Sequence, residues 1–143
     1  MKTAIAFLLA LLAISEPVKA DPLDIVTLAR VMHCEAHGEG RGGMIAVADV
    51  VLNRVESDRY PDNIYGVVHQ KHQFECITKG RRGSLRDHAY QQVVLLAQDV
   101  LAGRTPRMTT ATHYHADYIT PYWAASLPKL GRIGNHIFYA ERN

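Results

Sequence analysis

Apolar residues recur with helical spacing over the first two thirds of this chain and give way to β-branched and aromatic runs in the last third. Ile25, Leu28, Val31 and Met32 fall on one helical face, and Asp21-Pro22 ahead of them supplies a capping side chain and a proline suited to the first helical position. A helix is therefore predicted over Pro22–Ala36. Glu35 stands three and four residues beyond Met32 and Val31, on their face. Gly38 is expected to stop this helix in a left-handed cap. The run from His37 to Gly43 holds four glycines in seven residues and reads as a loop in which backbone can approach a neighbour closely. It lacks the preceding strand and the Gly-Lys-Ser/Thr of a phosphate loop.

A second helix is predicted over Met44–Val55, where Ile45, Val47, Ala48, Val51, Leu52 and Val55 form an apolar face wide enough for burial on more than one side. Asn53 and Arg54 near its end read as ordinary solvated positions. A polar turn with Pro61 follows, then a short helix within 63–70 and a loosely alternating strand over 72–78. Ser84-Leu-Arg-Asp87 is a capping-box variant for a helix that runs to Ala102 and ends at Gly103, with Ala89, Val93, Leu96, Ala97 and Val100 inward. Residues 111–115 and 133–140 are expected to pair as a small antiparallel sheet. The whole is an α+β, mostly helical single domain.

The N-terminus changes the picture. Lys2, an eleven-residue apolar core from Ala4 to Ile14, and Val18-Lys-Ala20 make a secretory signal peptide over residues 1–20, too short to span a bilayer as an ordinary helix. The expected mature domain is 21–143, with no stable membrane insertion after cleavage. Without Lys2, Lys19 and Glu16 it carries 14 basic and 13 acidic side chains. No basic tract points to nucleic acid. Two cysteines, Cys34 and Cys76, in an exported chain are expected to form a disulfide, tying residues 73–76 to the position just before Glu35; two buried thiols are the alternative.

Three chemistries fit the polar residues. Eight histidines raise a metal, but in His33-x-Glu35-x-His37 the Glu is two residues from each His, and on a helix residues two apart point about 200° from each other. His113 and His115 would share a strand face, with His136 as a further ligand candidate, yet there is no H-E-x-x-H signature and no metal or other cofactor is expected. Cysteine nucleophilic catalysis conflicts with an oxidising compartment. Carboxylate chemistry on a glycan needs one protonated acid, and Glu35 at the apolar face near a helix end has the setting that disfavours its ionised form. Periodicity equally allows Glu35 to stand in solvent at the stripe's edge. Glu39 is the nearest second carboxylate, its direction left open by the glycine between them.

Glu35-Ala-His-Gly-Glu39 resembles the Glu-Ala-Arg-Gly-Glu motif of the cell-wall hydrolase family typified by the spore-cortex-lytic enzyme SleB. Further similarities follow in order at Ala46–Arg54, Pro61–Val68, Gln73-Phe74, Ala111–His115, Trp123 and Ile133–Tyr139, so the resemblance covers nearly all of 21–139. It implies a fold similar to goose-type lysozymes and lytic transglycosylases, and an exported enzyme of the periplasm or cell wall acting on peptidoglycan glycan strands. By that resemblance Glu35 is the acid that cleaves the MurNAc–GlcNAc bond to leave a 1,6-anhydro end. Amide cleavage, an older family naming, and a non-catalytic wall-binding module are the alternatives. Glu39, Gln73, Phe74, Tyr114, Trp123, Asn135 and His136 match recurrent family positions and are groove candidates. The motif departs from its relatives at His37, where a titratable ring replaces a fixed guanidinium.

Overall fold

The computed structural model describes residues 20–80 and 83–142; nearly all of the expected signal peptide lies outside them. Five helices, α1 (Pro22–Ala36), α2 (Gly40–Val55), α3 (Ile64–Val68), α4 (Glu75–Thr78) and α5 (His88–Leu101), precede three strands, β1 (His113–Ala116), β2 (Lys129–Ile133) and β3 (His136–Tyr139). Two 3-10 turns, His37–Glu39 and Tyr122–Ser126, complete the set. The α+β, mostly helical expectation holds.

α1 forms as its pattern predicts. The Asp21 carboxylate accepts the Leu23 N–H at 2.7 Å, Pro22 opens the helix, and Leu28, Ala29, Val31 and Met32 are fully buried against α2 and α5. α2 is enclosed on two sides. Val47, Ala48 and Val51 face the main core with α1, whereas Ala46 and Val50 face a second cluster with Ala111 and Phe138 of the sheet. α2 is thus the wall shared by the helical half and the sheet.

The glycine-rich run is the first departure. It is a 3-10 turn followed directly by α2, and the left-handed residue is Gly40 at φ +72°, not Gly38. Tight packing accounts for the composition here: a side chain on Gly43 would collide with the Glu39 side chain. The expected strand over 72–78 is instead the short helix α4: its N-cap Phe74 and its Ile77 are the buried positions, at helical rather than alternating spacing. α5 starts at His88, capped by Asp87 rather than Ser84 (Asp87 Oδ1 accepts the Ala89 N–H at 2.9 Å).

The sheet order is β1-β3-β2, antiparallel throughout. β2 is an edge strand, largely exposed and interrupted at Gly131, so it offers no apolar alternation to read in advance.

Asn53 and Arg54 are not solvated helix-end residues. Asn53 Nδ2 donates to the carbonyls of Thr109 (3.1 Å) and Ala111 (2.7 Å), and buried Arg54 donates from Nε to Thr112 O at 2.7 Å. One turn earlier, buried Asp49 accepts the N–H groups of Met108 (2.6 Å) and Thr109 (3.2 Å). α2 therefore holds the whole extended segment leading into β1 through side chains, where no regular ladder exists to satisfy its backbone.

Asn53→Ala removes two bonds to partly buried carbonyls and is expected to cost about 1–3 kcal/mol in urea unfolding, whereas Glu56→Ala, which removes an exposed ion pair with Arg107, should stay within about 0.5 kcal/mol. Cys34 and Cys76 are joined across a separation of 42 residues with Cα atoms 6.1 Å apart. Replacing both by Ala should destabilise by about 4 kcal/mol relative to the oxidised protein, read from the same denaturation curves.

Candidate active site

The C-terminal turn of α1 delivers Glu35 to the junction of helices and sheet. Its partner comes from β1: the Tyr114 hydroxyl donates to Glu35 Oε2 at 3.1 Å. Burial lifts the Glu35 carboxyl above the ordinary carboxylate range, and nearby Glu75 adds to the rise. The Tyr114 hydroxyl and the Cys76 backbone N–H oppose it by stabilising the charged form, but burial prevails. Tyr114 is itself pushed well above its ordinary range by burial and by the Glu35 charge, so it is a permanent donor. The half-solvated alternative for Glu35 gives way to a partly buried acid with one fixed hydrogen bond.

The disulfide is part of this geometry. Cys34 immediately precedes Glu35 in α1, and Cys76 lies in α4 with its backbone N–H on the Glu35 side. The bridge holds a short helix, not a strand, against the acid.

Glu39 does not point at Glu35's proton. Its carboxylate accepts the Asn135 N–H at 2.5 Å and the Asn135 side-chain amide at 3.4 Å, closing the turn between β2 and β3 onto the end of the α1–α2 connection. Gly134, at φ +58°, makes this possible, because a side chain there would run into the Glu39 carboxylate. Glu39 and Asn135, 96 residues apart in the chain, are thereby brought together.

The remaining candidates divide. Exposed Gln73 accepts from Arg54 Nη1 at 2.8 Å, which links the approach to α4 with the clamp on β1. Phe74 is 1% exposed and packs within the helical core, with the Arg54 guanidinium 5.5 Å from its ring centre. As a groove residue it is a correction: its ring is buried on all sides and supports Arg54 instead. His136 is buried beside Tyr114, ring centres 4.9 Å apart, with its Nδ1 lacking a partner; burial holds its pKa below the ordinary histidine value. Trp123 lies on the opposite face of the sheet, among His113, His115 and Tyr139 at 5.3–5.7 Å.

His113 and His115 do share a face, as strand geometry requires. His113 Nδ1 lies 3.0 Å from the Thr112 hydroxyl, and His115 is held at both ring nitrogens, by Ala116 O at 2.7 Å and the Tyr139 hydroxyl at 3.0 Å. Among the described residues no three His, Cys, Asp or Glu side chains converge as a metal site would require. His37 leans on His33, ring centres 5.0 Å apart, away from the Glu39–Asn135 contact. A surface hollow of about 450 Å³ lies between residues 107–110 and β2, and Glu35 is not part of its lining. The candidate site rests on the chemistry of the partly buried acid and not on the size of that hollow.

Sequence reasoning missed Asp49, Asn53 and Arg54. Their signal was available only as three polar residues at helical spacing on a helix otherwise apolar all round.

Comparison with known proteins agrees with this geometry. The profile of the Cell Wall Hydrolase family matches residues 38–139. The chain is 36% identical over 115 residues to the spore cortex-lytic enzyme of Halalkalibacterium halodurans, covering 80% of this chain and 34% of that protein. It is 31% identical over 115 residues to the spore cortex-lytic enzyme of Bacillus subtilis, covering 80% and 37%. The chain thus spans about a third of the length of these relatives. Among solved structures, the catalytic domain of the germination-specific lytic transglycosylase SleB from Bacillus anthracis superposes with a TM-score of 0.71 at 30% identity, over 87% of this chain and 99% of that one. The fold is therefore that of the SleB catalytic domain, and the chain belongs to the Cell Wall Hydrolase family.

Proposed function

We propose that this chain is an exported enzyme that cleaves peptidoglycan glycan strands at the MurNAc-β-1,4-GlcNAc bond, with Glu35 as the single acid/base. The observation that carries the reading is the partly buried Glu35 carboxyl, raised by desolvation and oriented by Tyr114. Such a group is protonated where an exposed glutamate is not, and can pass its proton to the glycosidic oxygen as the C1–O bond breaks. The resulting carboxylate then takes the proton of the MurNAc 6-hydroxyl as that oxygen bonds to C1. The product is a 1,6-anhydro end, Glu35 is protonated again, and no water is consumed.

The commitment of Glu39 supports a one-acid route. Both of its oxygens face Asn135, so it is not placed to act as a second acid or nucleophile of the kind a two-carboxylate glycosidase needs. Tyr114 acts as a positioning residue. Gln73, Trp123, Asn135 and His136 remain proposed contacts of the strand, Gln73 and Asn135 through their amides and Trp123 through its ring. Export rests on the N-terminal segment; no helix among the described residues is long and apolar enough to cross a membrane.

Glu35→Gln keeps shape and removes the proton, so release of soluble muropeptides from sacculi should fall by about 10²–10⁴-fold. Undiminished release by the folded variant would sink the assignment. Mass spectrometry of wild-type products is expected to show anhydro-MurNAc ends; new reducing ends would mean hydrolysis and freed stem peptides an amidase.

The raised carboxyl also has a stability sign. Its folded-state pKa lies above the unfolded one, so its contribution is fully present below the unfolded pKa and lost as pH rises through the folded value. Glu35→Gln should therefore raise the melting temperature at pH 7 and leave it nearly unchanged at pH 4. Tyr114→Phe removes a hydrogen bond that lowers the Glu35 pKa, so the alkaline limb of kcat/KM should move to higher pH while the rate at the optimum drops.

A further inference from the structure

Tyr118 and Tyr122 are 84% and 96% exposed, with Ile119 between them at 49%, and none of the three belongs to either apolar core. They stand on the connection that leaves β1 and enters the 3-10 turn at 122–126. This connection is held firmly. Asp117 N–H donates to Asn135 O at 2.8 Å, Ile119 N–H to Ala116 O at 3.1 Å and Ala124 N–H to Pro121 O at 3.0 Å. The Asp117 carboxylate pairs with Arg132 at 2.7 Å. Two large aromatic rings are thus presented to water from an ordered backbone, which folding does not require and ligand binding rewards.

We propose that Tyr118 and Tyr122 form an aromatic platform that holds the glycan strand beside Glu35. The position follows from the hydrogen bonds. Asn135, which anchors Asp117, is the residue that holds Glu39, four residues past Glu35. The loop therefore leaves the sheet at the Glu35–Glu39 end, next in the chain to the strand that carries Tyr114. The occupant follows from chemistry. A pyranose ring offers C–H faces that lie flat on aromatic rings, and hydroxyls that the two phenol groups can meet. Residues 117–123 contain one acid, paired with Arg132, and no base, so the segment itself carries none of the cations that an anionic lipid headgroup layer would draw on. The ordered backbone beneath the two rings also lowers the entropic cost of a contact.

This inference rests on the reading of Glu35 as a glycan-cleaving acid, and the test separates the two. Binding to purified sacculi is measured by co-sedimentation in the Glu35→Gln background, where no turnover intervenes. Tyr118→Ala with Tyr122→Ala should weaken binding by about tenfold, whereas the paired Phe substitutions should keep most of it. With Glu35 restored, the Ala pair should raise KM more than it lowers kcat, and its melting temperature should match the wild type because both rings are exposed. Unchanged binding and KM in the Ala pair would overturn the platform and leave the Glu35 reading standing. No binding of sacculi by Glu35→Gln itself would overturn both. Loss of concentration-dependent self-association in sedimentation velocity, with sacculus binding intact, would assign the surface to a second copy of the chain and overturn the platform.

Discussion

The contact on which the rest depends is the grip of α2 on the irregular segment ahead of β1. Asp49, Asn53 and Arg54 are polar groups on a helix enclosed by apolar neighbours, and each meets backbone N–H or C=O groups of residues 108–112, just ahead of β1. A buried polar group left alone is costly, and so is an orphaned peptide; each removes the other's penalty. Because the match is directional, it also sets where β1 begins. A shift of one residue would put Tyr114 on the far face of the sheet and leave Glu35 without its donor.

Glu35 shows how a core can build chemistry at its margin. The apolar stripe of α1 is satisfied by Leu28, Val31 and Met32, which lie fully inside. Glu35 continues that stripe at the point where the helix emerges from the core, so desolvation falls on its carboxyl without enclosing it. The disulfide from the preceding residue and the hydrogen bond from β1 restrain the same turn from two directions. The carboxyl is held with its charged form disfavoured, a small local instability that the surrounding helices absorb.

Much of this was legible before any coordinates. α1 is readable because its cap, proline and apolar period agree, and the inward position of Glu35 follows from that period. The pairing of Cys34 and Cys76 is the expectation for two cysteines in a chain whose N-terminus reads as an export signal. What resists reading has physical reasons. α4 is a single turn with one buried residue, Ile77, behind the buried cap Phe74, too short for a period to be distinguished from alternation. The glycines at 40 and 43 serve a backbone inversion and the Glu39 side chain, a need created by residues elsewhere in the fold. The roles of Glu39 and Arg54 depend on partners 96 and 58 residues away, and helical or strand periodicity carries no information at that range. Phe74 is the opposite case: it matches a recurrent family position, yet its ring lies in the core beside the Arg54 guanidinium.

The bond from Tyr114 to Glu35 spans 79 residues, and the Glu39–Asn135 closure spans 96. Glu35, near the start of the domain, therefore lacks its Tyr114 donor until β1 has docked, and Glu39 lacks its partner until the turn between β2 and β3 has closed. A chain clipped before its final hairpin lacks β3, the strand on which β1 and Tyr114 are paired, and lacks the Asn135 that holds Glu39. Reactivity in this architecture is a late property of assembly, reached only once both ends of the domain have met.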